Sequence, residues 1–277
     1  MRILICTDGS KYAEEAIRFG GFIAKGAKAH LTLLGVIEGP DEAEKVRKSL
    51  ERARDLLAQD VSALETKTKM GHAAEEILSE TEEREYDLVV VGSRGRRGIT
   101  RFLLGSTAAR IVQHTPISVL IVKGKRPSLR NILICTGGEE RGEEDVRFGG
   151  MIARSIRAQV TILHVMSQLP LTPEARLEDL EATEEELLRQ ETREGVHLRK
   201  GLQILKELGV AGEVKIRRGL VVNEILAEAE EGDYDLLVIG AHAAPGLYRF
   251  LLDDLTTQIV LGSPRPVLVV KPKGYEH

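Results

Sequence analysis

Arg2-Ile3-Leu4-Ile5-Cys6-Thr7-Asp8-Gly9-Ser10 opens the chain with a short, unbroken apolar run that ends in an acid, a glycine and a hydroxyl residue. An apolar run without alternation suits a strand covered on both faces, as in a parallel sheet. Asp8-Gly9-Ser10 then reads as a turn, with Ser10 placed to cap a helix running to about Lys25. Ala13, Ala16, Ile17 and Gly20 form a small-residue face on that helix, suited to close packing on a sheet. Working outward, strands are expected at Leu31 to Ile37, Leu64 to Lys69, Leu88 to Val91 and Ser118 to Val122. Helices are expected between them, at about Asp41 to Ala58, Ala73 to Arg84 and Ser106 to His114. Strands alternating with helices imply an α/β fold: an open, mainly parallel five-stranded sheet with helices on both faces. Ligands of such sheets sit at the carboxyl ends of the strands, so the ends of strands one and four are the places to look.

The same unit occurs twice. Arg2-Ile3-Leu4-Ile5-Cys6-Thr7 recurs as Asn131-Ile132-Leu133-Ile134-Cys135-Thr136, and Arg18-Phe19-Gly20-Gly21 recurs as Arg147-Phe148-Gly149-Gly150. Tyr86-Asp87-Leu88-Val89-Val90-Val91-Gly92 returns later as Tyr234-Asp235-Leu236-Leu237-Val238-Ile239-Gly240. The offset grows from 129 to 148, so the second copy carries 19 extra residues in its middle. A period this long marks a duplicated domain and not a solenoid. The expected domains are 1–124 and 129–277, joined by the basic, Gly/Pro-containing stretch Lys123-Gly124-Lys125-Arg126-Pro127-Ser128-Leu129-Arg130. The length of 277 residues agrees with two domains of roughly 150 residues each.

Composition removes several function classes. A net charge of −4 gives no global footprint for nucleic acid, and aromatics at 4% with no Trp give no stacking platform. Two cysteines, Cys6 and Cys135, make neither a disulfide framework nor a zinc site; both are expected as buried core thiols. No apolar run approaches the ~20 residues that span a bilayer, and the N-terminal run is too short for a signal peptide. A cytoplasmic protein is expected, without a membrane partner.

The loop after strand four carries the chemistry. It reads Gly92-Ser93-Arg94-Gly95-Arg96-Arg97-Gly98-Ile99-Thr100-Arg101-Phe102-Leu103-Leu104-Gly105-Ser106-Thr107, with four arginines and no acid. Gly92, Gly95 and Gly105 let backbone N–H groups approach a ligand, and Ser106 and Thr107 sit where a helix begins. The free N–H groups and positive dipole end at that helix start favour an anion, phosphate above all.

The order Gly92, two residues, Gly95, nine residues, Gly105, Ser106 resembles the nucleotide-binding motif of the universal stress protein family. Thr7-Asp8-Gly9-Ser10, the Tyr86 to Gly92 strand and Thr115-Pro116-Ile117-Ser118-Val119-Leu120-Ile121-Val122 are similar to the family as well. The resemblance covers both halves and implies a tandem member with two Rossmann-like sheets of the adenine nucleotide alpha hydrolase-like type. It implies an adenine pocket at Thr7, Asp8 and Val36, and ribose and phosphate contacts from Gly92, Ser93, Arg94, Gly95, Gly105, Ser106 and Thr107. The ligand implied is ATP or another adenine nucleotide, accompanied by Mg²⁺. The family's Pro after strand three is absent from Gly71-His72-Ala73-Ala74, which should affect only the start of that helix.

The second copy departs from the motif. Gly240-Ala241-His242-Ala243 replaces Gly92-Ser93-Arg94-Gly95, Asp253-Asp254 replaces Gly105-Ser106, and Gly137 replaces Asp8. At ~4 Å and an effective dielectric of ~20, a carboxylate repels a phosphate charge by about 4 kcal/mol. Nucleotide is therefore expected in the N-terminal half only. Asp253 and Asp254 are expected at a helix start as dipole partners, with a cation site as the rival reading. Val119 to Val122 and Val267 to Val270 are expected to pair within one chain, giving a pseudo-dimer, and further homo-oligomerisation is expected. Thr172 to Leu208 reads as a helical insertion whose apolar stripe is interrupted by Gly195; a solvated surface helix or a partner-contacting one are both open. His164 and His242 read as structural.

The function expected is regulatory nucleotide binding in a stress response. A slow ATPase or phosphotransferase and a ligand-free scaffold are the alternatives, and no catalytic constellation is visible in the sequence.

Overall fold

The computed structural model describes residues 1–94, 104–125, 128–137, 142–166, 183–241 and 248–272, and over 248–254 the backbone alone. The first copy runs β1 (Arg2–Thr7), α1 (Lys11–Gly26), β2 (His30–Ile37), α2 (Ala43–Leu57), β3 (Ala63–Met70), α3 (Ala73–Glu83), β4 (Leu88–Gly92), α4 (Ser106–His114) and β5 (Ser118–Val122). The second continues with β6 (Asn131–Thr136), α5 (Gly142–Ile156), β7 (Gln159–Met166), α6 (Glu184–Arg189), α7 (Arg193–Glu207), β8 (Gly212–Arg218), α8 (Val221–Glu231), β9 (Leu236–Gly240), α9 (Tyr248–Gly262) and β10 (Val267–Val270). Every strand and helix expected in the first copy forms, and α4 and β5 begin and end at the residues the sequence indicates. Among the described residues no helix is long and apolar enough to cross a membrane.

Two compact units result: Met1–Leu129 with Val260–His277, and Arg130–Ile259. In the first unit the strand order is β3-β2-β1-β4-β5-β10. Its strands pair parallel up to β5, and β10 then pairs antiparallel with β5, Val267 opposite Ile121 and Val269 opposite Val119. The pairing expected between Val119–Val122 and Val267–Val270 is therefore present, and it places the last strand of the second copy in the first unit's sheet. The second unit keeps β9-β6-β7-β8, all parallel.

The central strands are buried on both faces, as their continuous apolar runs require: Ile3, Leu4, Ile5, Leu88, Val89 and Val90 are all fully enclosed. α1 lies on β1 and β4 along its small-residue face. A Cβ at Gly20 would fall 2.9 Å from Ile5 Cδ1 and 3.1 Å from Val90 Cγ1, so glycine sets how closely helix and sheet approach. The edge strand β3 is tied to α3 by a buried carboxylate. Glu80, fully enclosed, accepts from Lys67 Nζ at 2.5 Å and from the Tyr86 hydroxyl at 2.8 Å. The second copy repeats this with Glu228, Lys215 and Tyr234, and Arg217 Nε lies 3.0 Å from Glu228 where Lys69 Nζ lies 3.4 Å from Glu80.

Two expectations for the second copy need correction. Gly195 does not interrupt a helix. It lies in the first turn of α7, capped by Thr192, where the carbonyls of Leu187 and Gln190 leave no room for a Cβ. Asp253 and Asp254 do not start a helix either. α9 begins at Tyr248, which leaves both aspartates inside it, because Tyr248 to Leu252 is apolar enough to continue the helix backwards. Of the proposed insertion, α6 and α7 are helical, and residues 167–182 lie outside the described residues.

Candidate functional site

The site forms at the carboxyl ends of β1, β2 and β4, closed on one side by α3 and α4. A cleft there is lined by Thr7, Asp8, Val36, Gly92, Arg94, Gly105 and Thr107, together with small and apolar residues.

Asp8 leaves β1 into a tight turn. The Ser10 N–H donates to Asp8 Oδ1 at 2.9 Å, Gly9 takes φ +74°, and Ser10 accepts from the Ala13 N–H to cap α1. The left-handed conformation at position 9 suits glycine, and a Cβ there would also fall 3.0 Å from the Lys45 carbonyl. One carboxylate oxygen of Asp8 is thus held in the turn, which fixes the side chain at the cleft. Thr7 is buried, shares a 2.9 Å hydrogen bond with the Ser49 hydroxyl of α2, and accepts from the Gly9 N–H at 3.1 Å. Its hydroxyl is spent on the scaffold, so what it offers a ligand is shape.

The end of the cleft that favours an anion is built from α4 and the strand β4. Gly105 is the N-cap residue of α4; no side chain caps the helix and its first turn contains no acid. The uncapped N-terminus thus presents orphan N–H donors and the positive end of the dipole beside the cleft. The Gly105 N–H is itself anchored to the Ser93 carbonyl at 2.9 Å, and the Ser93 N–H to the Val122 carbonyl at 2.9 Å. Ser93 is buried and acts through its backbone. Ser106 is exposed in the first turn of α4, and neither serine is among the cleft's lining residues. Gly95 lies outside the described residues.

Gly92 has a different reason to be glycine from the one the motif suggests. A Cβ there would fall 2.8 Å from the Tyr12 carbonyl oxygen of α1, so the position is set by helix packing. Arg94 reaches back over Tyr12, its guanidinium carbon 5.8 Å from the ring centroid.

Sequence reasoning missed the residues that give the cleft its apolar wall. Cys6, Ala13, Val91, Ala73, Ile77 and Ala108 contribute to it, the last three from α3 and α4. The small residues Ala73 and Ala108 at helix starts were the available signal. α3 begins at Ala73 without proline, and the Ala73 N–H is received at 3.0 Å by Glu38 Oε1 from the end of β2. The Cys6 thiol is buried, and burial, with Glu80 adding to it, pushes its pKa upward, so it serves as packing and not as a nucleophile. Lys123, the first residue of the expected linker, turns inward and donates to the carbonyls of Val260, Leu261 and Ser263. Burial, with the nearby charge of Arg94, lowers its pKa to about 8. Among the described residues no group of three or more His, Cys, Asp or Glu side chains is placed to hold a metal ion.

In the second unit the two positions that pack beside the equivalent of Thr7 carry larger side chains. His197 occupies the place of Ser49 and bonds Thr136 Oγ1, and His164 occupies the place of Gly35 with Nδ1 3.3 Å from the Thr136 carbonyl. Cys135 is buried like Cys6, its pKa likewise raised by burial first and then by Glu228 and Asp145.

The profile of the universal stress protein family matches residues 1–123 and again 128–271. The universal stress protein Slr1230 of Synechocystis is 21% identical over 97% of this chain and 99% of its own length. The universal stress protein MJ0531 of Methanocaldococcus jannaschii is 30% identical over 54% of this chain and 87% of its own. Among solved structures, a universal stress protein from Archaeoglobus fulgidus superposes with a TM-score of 0.67 at 19% identity, covering 98% of both chains.

Proposed function

The chain belongs to the universal stress protein family, and from that premise we propose that its first unit binds an adenine nucleotide, ATP in particular, as a regulatory protein of a stress response. The observation that carries this reading is the convergence on one cleft of Asp8 and Val36 with the uncapped start of α4 and Arg94. The apolar wall of Val36, Val91, Ile77 and Ala73 suits a planar base. Asp8 suits an amino or hydroxyl donor of the nucleoside. Arg94 and the α4 N-terminus suit the phosphates. Asp8 is the one carboxylate at the cleft among the described residues, so a Mg²⁺ ion would be held mainly by the phosphates it arrives with.

The reading extends to binding in the first unit only, to a cytoplasmic protein, and to self-association of the tandem chain. For the second unit it is supported by the loss of the motif, with Asp253-Asp254 in place of Gly105-Ser106 and Gly137 in place of Asp8.

Calorimetric titration of the full chain with ATP tests it. One nucleotide is expected per chain, lost in Gly105→Asp, where a carboxylate would meet the phosphate at the α4 N-terminus. Undiminished binding by that variant would defeat the reading. Phosphate release followed in the same samples separates a binding protein from a slow ATPase: turnover approaching ~1 s⁻¹ would mark an enzyme.

A further inference from the structure

The Thr136, His164 and His197 cluster has no counterpart in the first unit, although the two copies share their fold. Thr7 meets Ser49 across β1 and α2, a neutral pair that does not titrate, and beside it Gly35 brings no side chain. In the second unit two imidazoles take those places. Both are buried, at 7% exposure for His164 and 6% for His197. His164 on β7 reaches the Thr136 carbonyl, and His197 on α7 reaches the Thr136 hydroxyl, so one residue at the end of β6 joins three elements. The packing has no slack: a Cβ at Gly142, the first residue of α5, would collide with Thr136 Oγ1 and the His197 ring.

We propose that this cluster is a proton-operated release: it holds the carboxyl ends of β6 and β7 against α5 and α7 while both imidazoles are neutral, and lets them open when the rings are protonated. Protonated rings can only donate, His197 to the Thr136 hydroxyl and His164 to the Thr136 carbonyl, and two imidazolium charges on one residue would repel each other within a site closed to water.

The charged groups around the cluster do not reverse this. Glu194 and Lys200 lie on α7 with His197, and Glu143 on α5 is paired with Lys200 at 2.9 Å. Asp145 on α5 is buried near Cys135, and Glu184 on α6 accepts from the N–H of Ile216, the register partner of His164. For His164, burial lowers the pKa against the opposing Thr136 carbonyl and Glu194. For His197, burial lowers it first and His164 and Lys200 add to that, against Glu143. The folded state therefore takes up these protons later than the unfolded chain. The contribution to stability is intact above the ordinary histidine value of 6.5 and is lost progressively as pH falls below it.

Hydrogen exchange of the full chain at about pH 7.5 and about pH 5.5, corrected for the intrinsic rate, tests this, since each extra proton taken up on opening is worth up to about tenfold per pH unit. Amides of β6, β7 and α7 are expected to lose about tenfold more protection than those of β1, β2 and α2. In His164→Gln/His197→Gln that difference should disappear, whatever its protection at neutral pH. Equal losses in both units, or an unchanged acid response in the double variant, would overturn the proposal. Should the double variant fail to fold, imidazole resonances of the unaltered protein decide: both rings titrating near 6.5 in the native state would refute it, and both remaining neutral below that value would support it.

Discussion

The guanidinium of Arg94 lies 5.8 Å from the centre of the Tyr12 ring, and Lys11 Nζ lies 5.3 Å from the same centre. One aromatic side chain at the start of α1 thus holds two cations, of which Arg94 lines the cleft. An exposed cation–π contact contributes about 0.5–1 kcal/mol. Tyr12→Ala is therefore expected to weaken ATP binding by roughly two- to fivefold while leaving adenosine binding nearly unchanged. Tyr12→Phe should bind both as before, and calorimetry with the two ligands distinguishes these outcomes.

Gly92→Ala should damage the fold before it damages any ligand contact. The added methyl meets the backbone of Tyr12 at 2.8 Å, and backbone cannot step aside as a side-chain tip can. A loss of about 1–3 kcal/mol is expected from overpacking, read as a lower urea midpoint without ligand.

Thr7→Val removes the partner of two groups at once, the Ser49 hydroxyl and the Gly9 N–H. Ser49 is buried, and a buried group left without a partner costs about 1–3 kcal/mol, so the variant should be less stable by about that much. Thr7→Ser, which keeps the hydroxyl, should recover most of the loss in the same denaturation curves.

Glu80 makes the first unit sensitive to strong acid. Burial pushes its pKa up, but hydrogen bonds from Lys67 and Tyr86 and the charges of Lys67 and Lys69 outweigh that and hold it below the ordinary 4.5. The unfolded chain therefore binds this proton first on acidification. The stabilisation is complete above 4.5 and is lost as pH falls through the folded value. Glu80→Gln should cost about 3–5 kcal/mol near neutrality, the cost of breaking a buried pair, and should flatten the acid limb of a stability–pH profile.

Much of this was legible in the sequence because it rests on local chemistry. Continuous apolar runs gave the buried strands, Ser10 gave the start of α1, and the Ser106 to His114 pattern gave α4 with its bounds. Asp8, Val36, Gly92, Arg94, Gly105 and Thr107 do converge on one cleft. What was not legible depends on distant partners. Nothing near Gly92 in the chain says that Tyr12 lies against it, and a lysine between strand and linker looks solvated until the carbonyls of Val260 and Ser263 are brought to it. His164 reads as structural in the sequence and His197 draws no notice there, because their meeting through Thr136 appears only once β6, β7 and α7 are assembled.

The antiparallel seam between β5 and β10 has a consequence for biosynthesis. As the ribosome advances, the segment carrying the cleft emerges before the second copy, and the strand that covers its open margin is the last of that copy to appear. Until then the nascent chain presents Val119, Leu120 and Ile121 along an open border, a stretch where a neighbouring nascent chain or a chaperone could dock in β10's stead.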